Sequence, residues 1–236
     1  LNERELREQI CEVGRRIYAR NMAASNDGNI SVKLNDKEWL CTPTLMSKGY
    51  MTPDCICKVD AGGNVIEGNY RPSSEMKMHM RVYQKRGDVG CVVHAHPSHA
   101  TAFAIAGIPL NQPIMPEAVI YMGCVPIVEY GAPTTADLAE NLDKYLDHYD
   151  AVLLESHGAL TWGKDLLTAY HLMESLEFYA ELLYKAKLLG GARELTSGQI
   201  EKLYEVRRNY GLTGKHPADI CRDRSGPACH KCERVK

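Results

Sequence analysis

An apolar run that ends in histidines limits what this chain can fold into. Residues 89–96, VGCVVHAH, read as a strand. Side chains two apart on a strand leave the same face, so His94 and His96 can reach one point in space. A second buried strand, Ala151 to Leu154, delivers His157 just past its end and directly before Gly158, where the backbone can turn sharply. Three neutral imidazoles with an open fourth position suit a catalytic ion of the zinc type rather than a structural one. The expected ion is Zn2+, with Co2+, Ni2+ or Mn2+ as alternatives that imidazole also accepts. His99 falls on the helix that follows and stays outside the ligand set.

Helices and strands alternate around these two runs. Leu6, Ile10, Val13 and Ile17 share one face of an opening helix running to about Met22. NISVKL and EWLCT flank Asn35-Asp36-Lys37 and predict a hairpin, followed by a loop over 42–53 punctuated by proline and glycine. A helix with a serine cap is predicted over 73–87. Further strands are expected over 125–129 and 151–155, and helices over 97–106, 135–148, 164–188 and 196–209.

With 236 residues, 44% apolar and 25% charged, the chain is expected to form one large domain over 1–214, with an irregular tail over 215–236. A net charge of −2 leaves no electrostatic footprint for nucleic acid, and no apolar run is long enough to span a bilayer. No secretory leader opens the sequence, so a soluble, cytoplasmic protein is the expectation. Cys11, Cys41, Cys55, Cys57, Cys91 and Cys124 are scattered without framework spacing and are expected to be reduced thiols. In the tail, Cys221, Cys229, His230 and Cys232 read as incidental to a loose extension, the alternative being a second, structural metal site.

An acid or base must accompany the metal if the site is to work on carbon. Glu75, in the first turn of the helix expected over 73–87, is the candidate, since a helix start favours a carboxylate. The competing role is an ordinary cap. Ser73 and Ser74 carry the same alternative, because hydroxyls and free N–H groups at a helix start make either an anion site or a cap.

In order along the chain, GNISV (28–32), TPT (42–44), RPSSEMKMHM (71–80), VVHAHPSHATAFA (92–104) and LLESHGALTWGKD (153–165) resemble the class II aldolase/adducin family over roughly residues 3–211. The closest likeness in type is to its fuculose phosphate aldolases. The resemblance implies a three-layer α/β/α fold around a mainly antiparallel sheet, assembled as a homotetramer with active sites between subunits. It puts the zinc ligands at His94, His96 and His157 and the catalytic glutamate, also a ligand without substrate, at Glu75. The phosphate site falls on Asn29, Thr44, Ser73 and Ser74. A glycine usual after the threonine is Leu45 here, and Lys48 in the same loop can supply a charge. One tyrosine of the fuculose enzymes aligns near Pro116 and is absent; another is present as Tyr210.

The implied reaction is zinc-dependent retro-aldol cleavage of a ketose 1-phosphate to dihydroxyacetone phosphate and an aldehyde. Glu75 would handle the proton at carbon, with Tyr210 or a water as the second base. Decarboxylase, dehydratase and pentulose-5-phosphate 4-epimerase outcomes remain open on the same machinery. A non-enzymatic adducin-like interaction module is disfavoured by the intact histidines.

Overall fold

The computed structural model describes residues 1–133, 135–212 and 214–217. Among these residues the frame is one sheet of eight strands: β1 (Asn29–Lys33), β2 (Glu38–Cys41), β3 (Cys57–Asp60), β4 (Val65–Glu67), β5 (Cys91–Ala95), β6 (Ile127–Val128), β7 (Ala151–Leu154) and β8 (Gly158–Gly163). The order is β4-β3-β2-β1-β5-β8-β7-β6. Every neighbouring pair is antiparallel except β6 with β7. The expected hairpin is present as β1 and β2, paired from Ser31 opposite Cys41 to Lys33 opposite Trp39.

Alternation along the strands separates two cores. Cys91, Val93 and Ala95 of β5 join one cluster with Ile10, Val13 and Ile17 of α1 (Glu3–Ala19), Phe103 of α3 (Ser98–Ile105) and Met173 and Leu176 of α7 (Leu166–Leu188). Val92 turns to the other face. There it meets Met78 and Val82 of α2 (Met76–Lys85), Leu138 of α5 (Ala136–Asn141) and Leu146 of α6 (Asp143–Leu146). Helices on both faces of a mainly antiparallel sheet make the three layers expected. Two further helices, α4 (Pro116–Tyr121) and α8 (Ser197–Asn209), pack against each other.

Local signals set the boundaries. Asn2 and Glu5 form a reciprocal capping box at the start of α1. The helix stops at Ala19, short of Met22, because Asn21 takes a left-handed φ of 56° and Met22 N–H returns to the Ile17 carbonyl. The helix expected over 135–148 is two short ones, α5 and α6, divided at Leu142. Cys11, Cys41, Cys55, Cys57 and Cys91 are free, as expected, and the fold buries them. Cys124 is not a free thiol: it is disulfide-bonded. Spacing along the chain could not reveal this, because a disulfide depends on which distant segment the fold brings alongside.

The chain beyond α8 returns to the domain before its described part ends. His216 is buried, with its ring nitrogen bonded to the Val119 carbonyl at 2.8 Å, and Lys215 N–H donates to Asp150. Cys221, Cys229, His230 and Cys232 lie outside the described residues. No helix among the described residues is long and apolar enough to cross a membrane.

Candidate metal and anion site

β5 and the β7–β8 turn deliver the three histidines to one place. His94 is on β5, on the α2 face of the sheet, and His96 follows just past the strand end. His157 sits in the tight turn between β7 and β8, where Ser156 has a left-handed φ of 56° and His157 N–H bonds the Leu154 carbonyl. Gly158 is required there by space. A Cβ on it would lie 2.6 Å from both the Ala95 carbonyl oxygen and the His96 ring.

The ligand nitrogens of His94, His96 and His157 all lie within 4.8 Å of one another. Nε2 of His94 and Nε2 of His96 are 3.1 Å apart. Two nitrogens on one zinc ion, each at roughly 2.0–2.1 Å in a tetrahedral arrangement, would be separated by about 3.3 Å. His94 is fully buried, and burial pushes its pKa well below the usual 6.5, with His157 and His96 adding to the effect. His157 is lowered by burial as well, against an opposing pull from Glu75. The Nδ1 of His94 lies 2.9 Å from the Ala159 carbonyl, which accepts from it and leaves Nε2 as the bare lone pair. Asp27 faces Nδ1 of His96 at 3.3 Å. Ring nitrogens held from behind in this way are typical of metal-ligating histidines.

Glu75 completes the cluster. Its Oε2 is 3.4 Å from His94 Nε2, its Oε1 is 3.4 Å from His157 Nε2, and Asn29 Nδ2 donates to Oε2 at 2.7 Å. The residue stands one position before α2 rather than in its first turn, and its side chain makes no capping bond. Ser73 fills that local role, its hydroxyl accepting from Glu75 N–H at 3.3 Å. Glu75 Oε1 is buried without a hydrogen-bond partner among the described residues. Three convergent ring nitrogens and a buried, under-satisfied carboxylate oxygen fit a divalent cation.

A cavity of ≈ 190 Å³ opens beside this cluster, with Asn29, Thr44, Ser73, Ser74, Glu75, His96 and His157 in its wall. The anion residues expected from sequence therefore meet the histidines. Their convergence comes from a crossing of loops: Thr44 N–H bonds the Arg71 carbonyl and Ser73 N–H bonds the Thr42 carbonyl. Leu45 holds a left-handed φ of 57° with an 82% exposed side chain, so the loop keeps the path that glycine would favour. Tyr210 ends α8 and is 64% exposed, away from the cavity of its own chain. His99 binds Glu177 at 2.8 Å instead of joining the cluster.

Sequence reasoning misses Asp27, which lines the cavity, and names Lys48 as a charge in the phosphate loop without foreseeing that it is buried, at 2% exposed. The signal available for Asp27 is its place in SNDGN, a pattern that reads first as a helix stop. Nothing in the local pattern marks Lys48 as buried.

Residues 8–184 match the family described as Class II Aldolase and Adducin N-terminal domain. A Methanococcus maripaludis protein named L-fuculose phosphate aldolase is 34% identical over 176 residues, covering 75% of this chain and 94% of that protein. A Pectobacterium atrosepticum protein named 3-oxo-tetronate 4-phosphate decarboxylase is 33% identical over 208 residues, covering 86% and 94%. Among solved structures, L-fuculose-1-phosphate aldolase from Thermus thermophilus superposes with a TM-score of 0.71 at 29% identity, covering 81% of this chain and 98% of that one.

Proposed function

Since the chain belongs to the class II aldolase and adducin family, we propose that it is a metal-dependent carbon–carbon lyase. In this reading it cleaves a ketose 1-phosphate by retro-aldol chemistry to dihydroxyacetone phosphate and an aldehyde. The observation that carries this is the placement of the Glu75 carboxylate 3.4 Å from Nε2 of both His94 and His157, at the wall of a cavity it shares with Asn29, Thr44, Ser73 and Ser74.

His94, His96 and His157 would hold the ion, with Glu75 as a further ligand before substrate enters. A zinc-type ion supplies Lewis-acid stabilisation of negative charge on oxygen next to the breaking bond. The remaining steps belong to the protein. Asn29, Thr44, Ser73 and Ser74 offer neutral donors to the phosphate and set which carbon faces Glu75. The hydroxyl proton of the carbon that becomes the aldehyde passes to Tyr210 of a neighbouring subunit or to a water. Glu75 delivers a proton to the carbon left by cleavage, and removes the same proton in condensation. The Asn29 amide holds that carboxylate in position.

A second reading is decarboxylation of a 3-oxo sugar-acid phosphate, in which carbon dioxide leaves in place of an aldehyde and Glu75 protonates the same carbon. The relative named for that reaction aligns over 86% of this chain, against 75% for the aldolase relative. The working form is proposed to be a homotetramer in which Tyr210 serves a neighbouring subunit's site. In support, Phe178, Tyr184, Leu188 and Leu189 leave apolar surface exposed on a single chain.

The test is a turnover screen of ketose 1-phosphates and 3-oxo sugar-acid phosphates, repeated with Glu75→Gln. Wild type should release dihydroxyacetone phosphate from a ketose 1-phosphate and exchange its carbon-bound proton with solvent. Glu75→Gln should retain metal and lose that exchange by about 10²-fold or more. Carbon dioxide release with no aldehyde would transfer the assignment to the second reading. Unimpaired exchange in the variant would remove Glu75 from the chemistry.

A further inference from the structure

Lys48 is an ammonium placed where solvent cannot screen it. It is 2% exposed, it sits in the wall of the cavity with Thr44 and Ser73, and among the described residues lining that cavity it is the one lysine or arginine. Its Nζ donates to the Asn26 carbonyl at 2.8 Å and the Met46 carbonyl at 2.7 Å. A lysine has three donors, so these neutral acceptors use two and leave the third N–H without a hydrogen-bond partner among the described residues. Asp27 and Glu75 act on it through longer-range attraction, and burial outweighs them, drawing its pKa down to about 8. A buried cation held by carbonyls alone is costly to keep, and an anion arriving in the cavity offsets that cost.

The neutral groups opposite sharpen the argument. Asn29, Thr44, Ser73 and Ser74 provide hydrogen bonds without charge, whereas Asp27 and Glu75 line the same cavity as carboxylates. A phosphate dianion entering among these groups is favoured by a fixed positive charge on the protein, which a charge-assisted hydrogen bond from a lysine supplies.

We propose that Lys48 is the cation that binds the phosphate of the substrate, clamping it against Thr44 and Ser73 from the floor of the cavity. This rests on reading the cavity as a phosphate site. The competing role is that Lys48 merely ties the loop at Met46 to the loop at Asn26.

Two substitutions separate charge from tether. Lys48→Met removes both, while Lys48→Gln removes the charge and keeps two N–H donors for the carbonyls on a side chain one bond shorter. Binding of inorganic phosphate to the zinc-loaded protein is measured by calorimetry near neutral pH, with Ser73→Asp as the control that blocks the pocket. Both Lys48 variants should bind phosphate at least about 10-fold more weakly, as expected on losing a charged hydrogen bond, with zinc content unchanged. Phosphate affinity in Lys48→Gln equal to wild type would overturn the proposal in favour of the tether. A wild type that binds phosphate no better than Ser73→Asp would overturn the phosphate reading itself, and this assignment with it. If neither variant folds, phosphate binding to metal-free wild type at pH 8.5 in buffers of different ionisation enthalpy decides, since no metal-bound hydroxide is then present to take up a proton. Proton uptake that is absent in Ser73→Asp supports Lys48 as the acceptor, and no uptake overturns it.

Discussion

The Asn29 amide donates to Glu75 Oε2 at 2.7 Å, so the carboxylate facing the histidines is aimed from the first residue of β1. Asn29 is also the Cα partner of His94 across the β1–β5 ladder. The residue that orients the proposed proton carrier is thus fixed to the strand that carries a proposed metal ligand. Asn29→Ala should slow proton exchange at carbon by about 10-fold, the usual loss for one hydrogen bond to a charged group. Metal content should stay at the wild-type level. Coupled loss of metal and exchange would mean that Asn29 supports the histidines instead.

Removing two imidazoles should abolish the metal site without harming the sheet. In His94→Ala/His96→Ala, elemental analysis of unchelated protein should find less than about a tenth of the wild-type metal, since one histidine and one carboxylate make a poor site. Full occupancy in that variant would show that the ion is held elsewhere.

Leu45 occupies a backbone conformation that disfavours a side chain, and it is 82% exposed. Leu45→Gly should therefore raise stability by about 0.5–1 kcal/mol, the left-handed strain relieved being partly offset by the greater freedom of glycine in the unfolded chain. Urea unfolding measures this, and phosphate competition should be unchanged. Marked destabilisation would indicate that the leucine packs against another subunit.

His216 makes a pH-dependent contribution. Burial, reinforced by the nearby Arg207 charge, lowers its pKa from 6.5 to about 3, although the Val119 carbonyl draws it upward. The unfolded chain takes up a proton near pH 6.5 and the folded one does not, so this contribution is complete above that pH and declines as the pH falls towards 3. The slope is about 1.4 kcal/mol per pH unit for one proton. Between pH 6.5 and 4.5, wild type should lose more stability than His216→Gln, as read from urea midpoints. Parallel losses would show that His216 is protonated in the folded protein.

The histidine strands are legible because two-residue periodicity and a following glycine survive in the local sequence: VVHAH and ESHGA each carry their own geometry. The β1–β2 hairpin is legible for the same reason, its turn residues lying between two alternating runs. β3, β4 and β8 are not. Gly158–Gly163 follows His157 within a turn, and Val65–Glu67 is an exposed edge of three residues with no buried face to display a pattern. α4, a six-residue helix begun by Pro116, is too short for a 3.6-residue period to register. In the site, the histidines and Glu75 are recovered from motifs, whereas Asp27 and buried Lys48 owe their positions to loops that cross only in three dimensions.

β5 lies between β1, which precedes it by a long stretch of chain, and β8, which follows it by another. Neither the N-terminal hairpin nor the C-terminal β7–β8 pair can assemble the site alone, because His94 must be seated against Asn29 on one side and Leu160 on the other. These late, non-local pairings carry the larger entropic cost during folding. Capacity to take up a metal ion should accordingly lag behind helix formation when the denatured chain refolds, making chelation a timer for completion of the sheet.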